Sequence, residues 1–132
     1  MLSIIVPVGR EGYELYERAV RFVDELRRCY SYARLSCELI FVSDVRDQET
    51  LRALMSLAHT CRTGCRCLYL TKHIGKGGSV KNAVVHSRGV YIAVLDADFP
   101  LEPRVVIAAT LATARMGADL LVPFVLSVGN MA

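Results

Sequence analysis

Five short apolar runs, at residues 2–8, 37–42, 67–71, 90–95 and 119–126, alternate with stretches of helical periodicity, and that order restricts the chain more than any single motif. In the first helical stretch Leu15, Ala19, Phe22, Val23 and Leu26 fall at i, i+4, i+7, i+8 and i+11, one apolar stripe at the helical period. Leu51, Leu54, Met55 and Ala58 repeat it. A third helix is predicted from near Gly78-Ser79, with Ser79 as its cap, and a fourth from Pro103, a residue suited to a first helical position. Runs such as Ile40-Phe41-Val42 are apolar without alternation, as in strands buried on both faces. The order βαβαβαβαβ therefore predicts an α/β fold with a mostly parallel sheet and helices on both faces. The 132 residues have the length of one domain, and 53% hydrophobic content is ample for its core.

Composition narrows the function. A formal charge of +3, with basic residues scattered along the chain, argues against nucleic acid. The opening Met1-Leu2-Ser3-Ile4-Ile5-Val6-Pro7 has no basic lead and only a short apolar run, so it is expected to be a strand and not a signal peptide. The apolar stretch 105–128 is interrupted by Arg115, Gly117 and Asp119 and falls short of the roughly 20 apolar residues of a spanning helix. A cytoplasmic protein, or one peripheral to a membrane, is expected. Mean hydropathy of +0.34 is high for a soluble chain and points to strands buried on both faces or to a partner-covered surface.

In a parallel sheet ligands bind beyond the carboxyl ends of the strands. Those positions hold Pro7-Val8-Gly9-Arg10-Glu11, Ser43-Asp44, Lys72-His73-Ile74-Gly75-Lys76-Gly77-Gly78-Ser79 and Asp96-Ala97-Asp98. The last is the most informative. A chain that turns just after its strand can bring Asp96 and Asp98 to one Mg²⁺ or Mn²⁺, which would suit a diphosphate leaving group. Turn-forming or solvated carboxylates are the alternative. The glycines at 75, 77 and 78 permit close backbone approach, as a phosphate cradle or as a flexible loop. Lys76 and Lys81 add positive charge beside it.

In this order the motifs resemble the family 2 glycosyltransferases of GT-A fold, especially the branch of dolichyl-phosphate mannose synthase and other polyprenyl-phosphate sugar synthases. Ser3-Ile4-Ile5-Val6-Pro7 with Glu11 resembles the opening strand and its acidic residue, and Glu38-Leu39-Ile40-Phe41-Val42-Ser43-Asp44 the second strand. Gly75-Lys76-Gly77-Gly78-Ser79-Val80-Lys81-Asn82-Ala83 and Arg88-Gly89-Val90-Tyr91-Ile92 are similar to the glycine-rich segment and the helix that precede the metal strand. Leu95-Asp96-Ala97-Asp98 resembles the metal motif, and Gly117-Ala118-Asp119-Leu120-Leu121-Val122 the start of the next strand. The resemblance implies a Rossmann-like nucleotide-diphospho-sugar transferase fold that binds a GDP- or UDP-hexose. Pro7 and Glu11 would lie by base and ribose, Asp44 would accept from the base, and Asp96 with Asp98 would hold the diphosphate through Mg²⁺ or Mn²⁺. Gly75, Lys76 and Lys81 would complete the nucleotide-sugar site.

The chain departs from the family pattern at Ser43, where an acidic pair is usual, at Val45-Arg46 and at Val90. It is expected to be a single domain, 1–132, without the acceptor region and without the carboxylate that serves as general base in many branches. A polyprenyl phosphate acceptor is already ionised and needs no base, which favours that branch. The alternative is a catalytically incomplete nucleotide-sugar-binding or regulatory module that needs a partner. Residues 105–114 are apolar around nearly the whole helical circumference, so a homo-oligomer or a partner subunit is expected to cover the C-terminal region. Five cysteines, at 29, 37, 61, 65 and 67, lack the paired spacing of a zinc site. Cys37 and Cys67, each opening a strand, are candidates for a bridge.

Overall fold

The structure is a computed structural model, and it describes residues 1–33, 36–61 and 64–117. Eight elements succeed one another: β1 (Leu2–Val8), α1 (Glu14–Ala33), β2 (Cys37–Ser43), α2 (Gln48–Thr60), β3 (Cys65–Tyr69), α3 (Gly75–His86), β4 (Tyr91–Val94) and α4 (Pro103–Met116). The strands form one parallel sheet in the order β3-β2-β1-β4. The chain reverses its progress across the sheet after β3, so α3 crosses on the opposite face from α1 and α2 and β4 adds beside β1. The expected fifth strand, 119–126, lies outside the described residues.

The two sheet faces are packed unequally. Leu2, Ile4, Val6, Leu39 and Phe41 point to the side covered by α1, α2 and α4, where they join Leu15, Phe22, Leu26, Leu54, Leu57, Val106 and Ile107 in the main core. Ile5, Ile40 and Val42 point to the other side and meet Ala83 and Val80 of α3. This explains why β1 and β2 read as continuous apolar runs. Helix α3 lies over β1 and β2, and Ile92 and Val94 of β4 stay 42% and 49% exposed beside it.

Three expectations about elements need correction. Strand β3 begins at Cys65, two residues before the expected start, because Cys65 and Arg66 pair with Leu39 and Ile40. The buried stripe of α2 is Thr50, Ala53, Leu54 and Leu57, while Met55 and Ala58 face out. The disulfide joins Cys61 to Cys65, Cα atoms 5.8 Å apart. It does not join Cys37 to Cys67, because Cys67 lies opposite Phe41 in the β2–β3 register, four residues beyond Cys37. Burial pushes the Cys67 thiol up to about 11, and its Sγ donates to the Leu54 carbonyl at 3.6 Å. Helix α4 is one-sided: Val106, Ile107 and Thr110 are buried, and Val105 and Met116 are exposed.

A buried polar cluster ties the amino-terminal ends of the strands together. Glu38, 6% exposed, accepts at Oε2 from Ser3 Oγ and from the Arg88 amide, both at 2.6 Å, and at Oε1 from Arg66 at 2.8 Å. The Gly89 amide donates to Ser3 Oγ at 2.8 Å. This anchors the α3–β4 connection on the opposite end of the sheet from the carboxyl ends of the strands.

Candidate functional site

All four polar strand ends reach one cleft of about 450 Å³. Strand β1 supplies Pro7, Val8 and Gly9 and, just beyond, Glu11; β2 supplies Asp44 and Val45. His73, Gly75, Lys76 and Ser79 come from the start of α3 and the turn before it, and Asp96, Ala97 and Asp98 from the end of β4.

The Asp-Ala-Asp segment is aimed by its neighbours. Leu95, whose amide donates to the Ile5 carbonyl at 2.9 Å, and Ala97 are 4% and 3% exposed and are held in the core. Asp96 and Asp98 are exposed on either side of the buried Ala97, and both line the cleft. The chain then turns, with the Phe99 amide donating to the Asp96 carbonyl at 2.9 Å. Phe99 takes φ of 52°, the one non-glycine residue at positive φ among the described residues, and its ring packs on Phe22 with centroids 4.8 Å apart. That aromatic contact holds the turn.

Two exposed carboxylates on one side of a cleft are a donor set that fits Mg²⁺ or Mn²⁺, hard cations that commonly take one or two protein carboxylates and fill the remaining positions with phosphate oxygens and water. Among the described residues no group of three or more His, Cys, Asp or Glu side chains is placed to hold a metal ion. Asp96 Oδ1 accepts from Lys76 Nζ at 2.6 Å.

Asp44 is placed differently from its neighbours. It is 8% exposed, and its Oδ2 accepts from the amides of Ile74 and Gly75 at 2.9 and 2.8 Å, with His73 Nδ1 at 3.2 Å. Burial opposes its ionisation, but the amides of Gly75 and Ile74 and the nearby His73 outweigh it and hold the carboxyl below its ordinary value. Helix α3 has no side-chain cap from its own segment, its preceding residue being Ile74. Asp44, from another strand, takes that role and complements the positive end of the helix. Gly75 at φ of 79° lets the chain enter the helix at that point. The expected cap Ser79 is instead buried within the helix, 3% exposed, and lines the cleft.

Pro7, Glu11, Asp44, Gly75, Lys76, Asp96 and Asp98 thus come together around one cleft. Glu11 precedes α1, whose first turn carries Glu14 and Glu17, and lies 3.9 Å from Arg18. Lys81 is exposed on α3 and lies outside the cleft lining. Five helical positions turn through about 500°, which directs it about 140° away from Lys76. His73 and Ser79 are polar residues of the lining that sequence reasoning did not assign to the site; both lie in the run Lys72–Ser79 that follows β3.

Comparisons with known proteins show the family and the fold. Residues 3–131 match the family model described as Glycosyl transferase family 2. The chain is 32% identical over 101 residues to a dolichyl-phosphate beta-glucosyltransferase of Dictyostelium discoideum, an alignment covering 74% of this chain and 30% of the relative. It is 27% identical over 99 residues to the putative glycosyltransferase CsbB of Bacillus subtilis (strain 168), covering 74% and 28%. Among solved structures, the mannosyltransferase PcManGT from Pyrobaculum calidifontis in complex with GDP-Man and Mn²⁺ superposes with a TM-score of 0.71 at 21% identity, over 86% of this chain and 32% of that one. S. aureus TarS 1-349 superposes with a TM-score of 0.59 at 16% identity, over 96% and 38%. The four-stranded parallel sheet has the Rossmann-like GT-A architecture that the sequence leads one to expect. No helix among the described residues is long and apolar enough to cross a membrane. The chain spans about a third of the length of these proteins, and it belongs to glycosyl transferase family 2.

Proposed function

We propose that this domain is the donor half of a hexosyltransferase, binding the nucleotide-sugar in the cleft between β1, β2, α3 and the Asp-Ala-Asp turn. The observation that carries the reading is the pair Asp96 and Asp98, both exposed and both lining one cleft beside the buried Leu95 and Ala97. A divalent ion held there, Mg²⁺ or Mn²⁺, would neutralise charge on the departing diphosphate. The presence of Mn²⁺ with GDP-Man in the PcManGT complex supports that choice of cation and ligand. Pro7 and Glu11 would flank base and ribose, and Asp44 would offer the base its second oxygen while Oδ2 stays on the α3 amides. The Asp44 carboxylate already occupies that helix end, so the diphosphate is assigned to the cation and Lys76 rather than to the amides of Ile74 and Gly75.

A polyprenyl phosphate or similar acceptor at a membrane surface is supported by the name of the Dictyostelium relative. An ionised phosphate attacks without a base, so the donor half needs only a second surface that positions it. That surface would come from further chain, a partner or a second copy meeting the C-terminal apolar region. A nucleotide-sugar-binding or regulatory module would use the same cleft, and release of nucleoside diphosphate only with acceptor or partner present would separate the enzyme from it.

Thermal unfolding with GDP, UDP and their mannose and glucose conjugates, with and without Mn²⁺, tests the donor site. A ligand at about 100 times its Kd should add about 2.7 kcal/mol, a shift of several degrees. The shift should require Mn²⁺ and vanish in the Asp96→Ala/Asp98→Ala double variant. No shift with any nucleotide would remove both enzyme and binding-module readings.

A further inference from the structure

Four carboxylates line the cleft, Glu11, Asp44, Asp96 and Asp98, and the basic side chains among its lining are Lys76 and His73. His73 faces Asp44, and Lys76 donates to Asp96 Oδ1 at 2.6 Å. A diphosphate entering the cation-free cleft would therefore meet excess negative charge and an ammonium already engaged. The engaged oxygen belongs to the same carboxylate assigned to the divalent ion. Both side chains are open to water, 63% exposed for Lys76 and 59% for Asp96, so either can exchange partners.

We propose that Lys76 is a displaceable internal counter-ion: it neutralises Asp96 in the cation-free protein, is expelled when a divalent cation binds Asp96 and Asp98, and then pairs with the phosphates of the nucleotide. This deepens the donor-site reading and rests on it. A dication outcompetes an ammonium at a shared carboxylate, and an exposed ion pair resists displacement by no more than about five-fold, the equivalent of about 1 kcal/mol. Lysine suits the task because its point charge rides on a flexible four-carbon stem, whereas a guanidinium fork would be tied to one planar geometry. The backbone beneath it is fixed from the other side, since Asp44 holds the Ile74 and Gly75 amides while a Cβ at Gly77 would meet nothing. The stem can swing while its root stays in place. One residue thereby couples the two ligands, and the nucleotide binds well only after the cation.

The test is Mn²⁺ alone as probe, with free ion read by electron paramagnetic resonance, on the wild type, Lys76→Met, Lys72→Met and Asp96→Asn. Lys72 is exposed and outside the cleft lining, so its variant reports loss of one positive charge without loss of the contact. Lys76→Met should bind Mn²⁺ about three- to five-fold more tightly than wild type, and Lys72→Met should differ by less than about two-fold. GDP or UDP at saturating Mn²⁺ should bind Lys76→Met several-fold more weakly. Equal Mn²⁺ affinity in the two lysine variants would overturn the counter-ion role and leave the metal site standing. Mn²⁺ binding that Asp96→Asn does not weaken would overturn the donor-site reading and the counter-ion with it.

Discussion

Glu38, buried at the amino-terminal end of the sheet, accepts from one hydroxyl, one amide and one guanidinium. Burial opposes its charge, but the Ser3 hydroxyl, the Arg88 amide and the Arg66 guanidinium more than offset this, and its carboxyl titrates below the ordinary 4.5. A carboxyl lowered in the folded state contributes stability that is complete above its unfolded pKa and is lost as pH falls through the folded value. Acid titration of wild-type stability should therefore steepen below about pH 4.5, and Glu38→Gln should flatten that segment. At neutral pH the same variant turns an amide group toward donors and should cost about 1–3 kcal/mol, measured by urea unfolding. Gly89 is constrained by the same cluster: a Cβ there would come within 2.6 Å of the Ser3 nitrogen and 2.8 Å of the Tyr91 carbonyl oxygen. Those are backbone atoms that cannot step aside, so Gly89→Ala should destabilise by about 1–3 kcal/mol.

Helix α3 depends on a carboxylate from another strand. Asp44→Ala should cost about 1–2 kcal/mol, as loss of a helix cap does, and should speed amide exchange at Ile74 and Gly75 in particular. An unchanged exchange rate at those amides would mean that the helix end is held by something other than Asp44. This dependence also explains what the sequence could and could not reveal. The stripe Leu15, Ala19, Phe22, Val23, Leu26 locates α1, since five apolar residues on one face allow only one orientation. Strands β1 and β2 are equally plain, because both faces are buried. Gly75-Lys76-Gly77-Gly78 reads locally as a helix breaker, which delays the expected start of α3 to Ser79; the cap that lets it start earlier is 31 residues from Gly75 in sequence. In α2 two apolar sets share the helical period, and only the sheet decides that Ala53 and Leu57 face in and Met55 out. The cysteine pairing is hidden for a like reason: the β2–β3 register sets Cys67 opposite Phe41 and away from Cys37, while the bridge closes the short connection from the end of α2 to the start of β3. The Asp-Ala-Asp turn is legible as chemistry, while its anchor is not: nothing in sequence pairs Phe99 with Phe22.

At the scale of the molecule the two ends of the sheet carry different tasks. The amino-terminal ends of the strands hold the Glu38 cluster and the Cys61–Cys65 bridge, and the carboxyl ends hold an open cleft lined by exposed charge. Stability and ligand binding should accordingly respond to separate perturbations. Closing so short a loop restricts the unfolded chain by about 2 kcal/mol, so reduction of the bridge should lower the melting temperature by several degrees. The bridge lies across the sheet from Asp96 and Asp98, and reduced protein should therefore keep the full nucleotide- and Mn²⁺-dependent shift, starting from a lower baseline. Asp96→Ala/Asp98→Ala should do the reverse: both side chains are exposed, so baseline stability should stay within about 0.5 kcal/mol while the ligand shift disappears. Melting curves of oxidised, reduced and double-variant protein, each with and without GDP or UDP plus Mn²⁺, make the comparison in one experiment. If reduction abolished the ligand shift as well, the sheet would be transmitting strain from one end to the other, and the cleft could no longer be treated as a site carried on an independent scaffold.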